Sequence, residues 1–260
     1  MTEEEPIVSS SEPSQGLFAR LLNLWGGYRR LLTVVVVALG LGGFLWSLEP
    51  ETRRALVRGL WANQALIILL LIFVLLTLSL LWSAGQRLDT WVFLLFNLRG
   101  HHPLWLDRLM WTLTQIGNGV FGILLGIFLY FADRRRLAVE LLLGILSLWL
   151  VVEIMKALVE RRRPFITMEG ARIVGWRERG LSFPSGHTAQ SFFMAVLFAQ
   201  YLQAGALIGG VFYGFAAAVG MTRIYVGAHY PRDVLGGAIL GSIWGILSRL
   251  IQAYLTTGQF

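Results

Sequence analysis

The residues of this chain that could do chemistry fall into three short islands, each legible from its own spacing. In the first, Lys156-Ala-Leu-Val-Glu-Arg-Arg-Arg163-Pro164, the cations Lys156 and Arg163 stand two helical turns apart and so project from one face. That arrangement suits a bound dianion. It equally suits two long side chains reaching toward lipid headgroups from a helix end. In the second island, Pro184-Ser185-Gly186-His187 opens an apolar run. Proline fits the first turn of a helix, and the small Ser185 and Gly186 leave the neighbouring amides open to an anion. His187 adds a proton donor beside that anion; the plainer alternative is a capped helix start with an incidental histidine.

The third island holds Thr222-Arg223, His229 and Asp233. His229 and Asp233 are related as i and i+4, and Pro231 marks a helix start, so the carboxylate can reach back to the imidazole. A carboxylate on one ring nitrogen fixes the tautomer and leaves the other nitrogen nucleophilic. Asp233 could instead offset the helix dipole, or His187, His229 and Asp233 could ligate a metal. Against a metal stand Lys156, Arg163 and Arg223, which would crowd a cation with like charge. Three cations and two histidines fit a bound phosphate better. Glu153, one turn before Lys156, reads as its neutralising partner, and His101 and His102 have no partner visible in sequence.

The elements that must carry these islands follow from composition. Apolar residues make up 56% of the 260, and Asp, Glu, Lys and Arg only 14%. A soluble fold of this size needs more polar surface, and disorder is excluded by the wealth of Leu, Val, Phe and Trp. The chain reads as an all-α, polytopic transmembrane helical bundle. The formal charge of +7 lies mostly in short loops between apolar stretches, where orientation signals sit, and not on one face as a nucleic-acid binder requires. Without cysteine there is no disulfide and no thiolate chemistry.

A crossing needs about 20 mostly apolar residues. Uncharged or nearly uncharged runs occur at Leu31–Leu48, Gly59–Gln86, Leu109–Ala132, Leu137–Met155, Thr188–Thr222 and Val234–Tyr254. As one helix, the 35 residues of Thr188–Thr222 would reach roughly 52 Å, so Gln200, Gln203 and Gly205 are expected to break it into two. Six spans follow residue 58, and Leu31–Leu48 is a seventh. Leu88–Leu98 is too short to cross and reads as an interfacial helix. Residues 1–25 are expected to be a disordered tail; their first sixteen carry four Glu and no basic residue, unlike a signal peptide. The remaining organisation is N-terminal hydrophobic segments over 26–83 and a catalytic domain over 84–256. Alternating spans bring all three islands out on one membrane face.

Together the islands resemble the three signature motifs of the type 2 phosphatidic acid phosphatase superfamily, Lys-x6-Arg-Pro, Pro-Ser-Gly-His and Ser-Arg-x5-His-x3-Asp. The resemblance covers about residues 84–256, in order and at the family's spacing, with Thr222 where the family usually has Ser; the hydroxyl is kept. It implies a membrane phosphatase with a helical core and no metal or other cofactor. By motif position His229 would be the nucleophile forming a phosphohistidine, Asp233 would orient it, and His187 would be the general acid. Lys156, Arg163, Ser185, Gly186 and Arg223 would bind the phosphoryl oxygens.

The expected activity is hydrolysis of a lipid phosphomonoester or diphosphate: phosphatidate, phosphatidylglycerol phosphate or undecaprenyl diphosphate. The expected partners are the substrate lipid and the bilayer. The loop from Glu160 to Gly180, with six Arg and three Glu, could gather anionic lipid. Two rivals are weighed. The superfamily resemblance extends to soluble vanadate-holding peroxidases, which the apolar spans argue against. A channel or transporter would place charges inside spans, whereas these sit at helix ends. Arg134, Arg135 and Arg136 form a short basic loop expected in the cytoplasm. One crossing later the islands then face the extracytoplasmic side of a cell (inner) membrane.

Overall fold

The computed structural model describes residues 17–257, with side chains over 32–254. Helix α1 (Leu17–Ser47) belongs to a unit of its own, and the chain from Leu48 onward forms a second. The tail expected over 1–25 lies outside the described residues up to position 16, and its remainder is the start of α1.

In the second unit the run Gly59–Gln86 is shared among three helices: α2 (Pro50–Ala62), α3 (Gln64–Ser79) and α4 (Ser83–Asn97). The breaks have local causes that hydropathy does not register. Asn63 accepts from the Leu66 amide at 3.0 Å, capping α3. Between α3 and α4 the axis turns by 94°. Gln86 Nε2 donates to the Leu80 carbonyl at 2.6 Å, satisfying an acceptor that the end of α3 leaves over. The expected interfacial helix is the body of α4. Its Asp89, Phe93 and Asn97, four residues apart, form a buried stripe, while Leu88, Trp91 and Leu95 are exposed.

Helix α5 (Leu104–Thr114), a 3-10 turn and α6 (Gly119–Phe131) follow, bent by 57° at Asn118. Helix α7 (Arg135–Val159) buries Leu137, Leu141, Gly144, Leu148 and Val152 at helical spacing and stops at Glu160, whose φ is 50°. After the single turn α8 (Pro164–Thr167) comes a loop, then α9 (Gly186–Tyr201), α10 (Ala206–Tyr225) and α11 (Pro231–Thr257). The long uncharged run is thus broken between Tyr201 and Ala206, where the glutamines and Gly205 predict a turn.

Helix α9 is the buried centre, packed by α7, α10 and α11. Gly237, Gly241 and Gly245 form a stripe along α11 at four-residue intervals. A Cβ on Gly241 would lie 2.0 Å from the Ala189 carbonyl oxygen, and one on Gly237 would lie 2.5 Å from that of Ser185. Small residues here let the two backbones touch, so van der Waals packing holds α9 against α11. The apolar core of Leu66, Phe73, Leu141, Phe183 and Phe193 lies beside this contact.

Among the described residues there is no strand. Large apolar side chains such as Leu75, Phe128, Leu146, Trp149, Leu207 and Phe215 stand exposed on the outside. A soluble protein seldom exposes so much contiguous apolar surface, whereas lipid covers it at no cost. Arg135–Thr167, Ala206–Tyr225 and Pro231–Tyr254 are long and apolar enough to cross a bilayer, and up to six crossings result if each of three bent helix pairs counts as one. The chain is an all-helical integral membrane protein.

Candidate active site

Buried polar residues collect where α7 ends and where α9 and α11 begin. Pro231 sits in the first turn of α11, and Asp233, fully buried, reaches back to accept from the Tyr230 amide at 2.8 Å. This is the carboxylate half of a helix capping box. The same oxygen accepts from Ser182 Oγ at 2.5 Å, and the other accepts from Arg161 Nη1 at 2.6 Å. The direct bond expected from Asp233 to the His229 imidazole is absent. Oδ2 stands 3.7 Å from Nδ1, and the Ser182 hydroxyl lies 3.5 Å from that nitrogen. Asp233 has three better donors, so serine stands between acid and imidazole.

His229 is buried, with Nε2 turned to the other side, 3.2 Å from Arg163 Nη1. Burial, followed by the guanidinium charges of Arg163 and Arg223, pushes its pKa well below the usual histidine value. The imidazole is therefore neutral at physiological pH, the state a nucleophile or a base requires.

Arg163 is fixed by the chain around it, donating to the carbonyls of Ala228 at 3.1 Å and Gly180 at 3.3 Å. Arg223, in the last turn of α10, is fully buried and donates to Thr114 Oγ1 at 2.6 Å. Its Nε has no acceptor, a buried donor still open to one. Ser185 is the N-cap of α9, its Oγ accepting from Thr188 Oγ1 at 2.9 Å, and Gly186 begins the helix. His187, in the first turn, lines a cleft of about 170 Å³ with Glu178, Arg223, Trp111 and Trp176. Lys156 pairs with Glu153 at 2.8 Å, as the sequence suggests, and its charge is among those acting on His229.

Sequence reasoning missed five residues. Arg161 joins Asp233 to Asp89 of α4 at 2.5 Å and to Gln86 at 2.9 Å. Arg232 Nε reaches the same Asp89 at 2.7 Å. Ser182 intervenes as described, and Glu178 pairs with Arg163 at 2.9 Å and with Arg223. The one usable signal was Asp89, a lone acid in an apolar helix, which is functional or paired by default. The alternative of a metal on His187, His229 and Asp233 does not take shape. Among the described residues no group of three or more His, Asp or Glu side chains could hold a metal ion.

The pocket can therefore hold an anion between two buried guanidiniums, against a neutral imidazole, with a second histidine at the rim. The chain is similar to known proteins in sequence and in fold. The family model described as the PAP2 superfamily matches residues 137–257. The undecaprenyl-diphosphatase of Sulfolobus acidocaldarius is 27% identical over 188 residues, 72% of this chain and 90% of its own length. The undecaprenyl-diphosphatase BcrC of Bacillus subtilis is 34% identical over 152 residues, 56% of this chain and 75% of its own. The crystal structure of a transmembrane PAP2-type phosphatidylglycerolphosphate phosphatase from Bacillus subtilis shares the fold. It superposes with a TM-score of 0.62 at 24% identity, covering 73% of this chain and 96% of that one.

Proposed function

The chain belongs to the PAP2 superfamily, whose phosphatases hydrolyse lipid phosphate esters, and from that premise we propose that it removes phosphate from a lipid phosphomonoester or diphosphate through a phosphohistidine on His229. The observation that carries this reading is the buried, neutral imidazole of His229, its Nε2 facing the Arg163 guanidinium. Nε2 attacks phosphorus while the bond to the lipid oxygen breaks, and His187 gives that oxygen a proton. Burial and the Arg223 charge lower the His187 pKa to about 3 in the resting site, so it takes up that proton with the phosphoryl dianion, whose charge favours the imidazolium. The imidazole gains positive charge, which Asp233 stabilises through Ser182. Water then attacks phosphorus and yields a proton to His187, the N–P bond breaks, and inorganic phosphate leaves with the imidazole neutral again.

Arg163, Arg223, Lys156, the Ser185 hydroxyl and the Gly186 amide hold the phosphoryl oxygens as charge develops on them; the Ser185 amide is already bonded to the Asp233 carbonyl at 2.9 Å. No step assigns a role to a metal. The substrate class is a dianionic lipid phosphate such as phosphatidate, phosphatidylglycerol phosphate or undecaprenyl diphosphate. The names of the relatives support that class without choosing within it. In this reading residues 84–256 form the catalytic domain, residues 26–83 add hydrophobic segments, and a cytoplasmic Arg134–Arg136 loop, one crossing before the site, puts the site on the extracytoplasmic face of the cell membrane. Phosphate release by the purified chain from each lipid in detergent micelles tests the reading. Absence of release from every lipid, in a folded preparation, would refute it.

A further inference from the structure

Glu178 stands where the proposal above seats a phosphoryl group. Its Oε2 lies 2.9 Å from Arg163 Nη1 and 4.0 Å from His229 Nε2, and its Oε1 pairs with Arg223 Nη2. The two guanidiniums of the candidate phosphate site thus already hold an anion, set against the nitrogen that would attack. Arg163 and Arg223 are both almost wholly buried. Two buried cations side by side without a counter-ion would be costly, and the carboxylate relieves that cost. Burial opposes its charge, but the permanent guanidinium charges of Arg223 and Arg163 hold its pKa far below the usual carboxylate range. It stays an anion in the resting protein.

The side chain is also placed to leave. It is 28% exposed and sits between Gly175 and Gly180, both at positive φ (83° and 86°), where a glycine backbone turns without steric penalty. A Cβ on Gly180 would meet nothing within 4 Å, so open space borders that end of the segment, whose carbonyls at Arg179 and Gly180 are held only by long bonds from Arg163 at 3.4 and 3.3 Å.

We propose that Glu178 is an internal stand-in for the substrate phosphoryl group, and that any anion must displace it to reach His229. This rests on the phosphatase reading. The displacement sets a threshold on affinity. A phosphomonoester or diphosphate brings two charges and three terminal oxygens to the paired arginines, gaining more than the carboxylate gave up. The phosphodiester headgroups that fill a membrane bring one charge and two free oxygens, no better than Glu178 itself. They fall below the threshold, so bulk lipid does not occupy the site. Glu178 is a specificity-determining residue that acts by competition.

Thermal-shift titrations of the purified full chain at pH 8 with inorganic phosphate and with dimethyl phosphate test this. Glu178→Gln keeps the shape and removes the charge. We expect both ligands to bind the variant more tightly by the same factor, about tenfold or more, with dimethyl phosphate becoming a measurable ligand. Equal factors are the mark of displacement. A gain that grows with ligand charge would mean that Glu178 acts from a distance, and no gain would mean that it does not occupy the seat; either overturns the proposal alone. If phosphate and orthovanadate shift neither protein, the phosphatase reading falls and takes this one with it. Should Glu178→Gln fail to fold, limited trypsin digestion of the unaltered chain gives the answer. Arg177 and Arg179 flank Glu178 and are exposed, so orthovanadate should speed cleavage there by freeing the loop. Unchanged or slower cleavage would overturn the proposal.

Discussion

Asp89 and Asp233, carried by α4 and α11, share one guanidinium, with Arg161 bonded to both at 2.5 and 2.6 Å. Asp89 also holds Arg232 at 2.7 Å, so a single carboxylate braces the residues that lead into the catalytic helix. Breaking a buried pair strands the remaining charge and costs about 3–5 kcal/mol. We therefore expect Arg161→Ala to lower the melting temperature and to reduce kcat at least tenfold, although Arg161 touches neither histidine in the expected chemistry. Paired melting curves and kinetics check this, and unaltered values in both would dismiss the brace.

His229→Ala is expected to abolish turnover and His187→Ala to slow it by about 10²–10⁴-fold, both without loss of fold. Samples incubated with labelled substrate and quenched in alkaline detergent, where the acid-labile N–P bond survives, should show a phosphoprotein in the unaltered chain. His229→Ala should show none. A phosphoprotein in that variant would move the nucleophile elsewhere.

The buried groups also fix the sign of the pH dependence. His229 and Glu178 both have folded-state pKa values below their ordinary ones, 6.5 and 4.5. Between each ordinary value and its depressed one, the unfolded chain binds more protons than the folded chain, so stability falls as pH falls. The melting temperature should decline below about pH 6.5 and more steeply below about pH 4.5, with Glu178→Gln removing the second part. An optimum of stability near pH 4 would contradict both assignments. The same low value predicts that free-enzyme kcat/KM shows no acid limb from His229 near pH 6.5.

Because the chain has no cysteine, its sidedness can be tested cleanly. Arg135→Cys and Arg177→Cys place single thiols at exposed positions at the start of α7 and on the loop carrying Glu178. A membrane-impermeant maleimide applied to intact cells should label only Arg177→Cys. Labelling of Arg135→Cys alone would put the site in the cytoplasm.

The parts of the site legible in sequence were those set by local geometry. Ser185 caps one helix and Asp233 caps another, each relation spanning three residues. Lys156 and Arg163 do not share the helix face expected of them, because α7 stops at Val159 and Arg163 lies in extended backbone beyond the left-handed turn at Glu160. What remained hidden depends on tertiary approach. Nothing near Ser182 shows that its hydroxyl stands between Asp233 and His229, and nothing near Glu178 separates it from the other acids of an arginine-rich loop. The fold divides likewise. The turn after Tyr201 was legible from its glutamines and glycine, but the bend between α3 and α4 was not, because a run of apolar residues reads alike whether one helix or two carry it. Asn63, which with Gln64 interrupts the apolar residues of that run, was the cue for the first break.

The contact of Gly237 and Gly241 with the α9 backbone divides the molecule by how freely its parts can change. Ser185 and His187 begin one of the joined helices and Asp233 begins the other, so the reacting groups keep their spacing only while those glycines remain. The outward-facing leucines, phenylalanines and tryptophans carry no such restriction. Over evolutionary time a lineage could exchange the surface that meets lipid tails for another while the chemistry stayed in place, which lets one constant centre serve lipids that differ in everything but their phosphate.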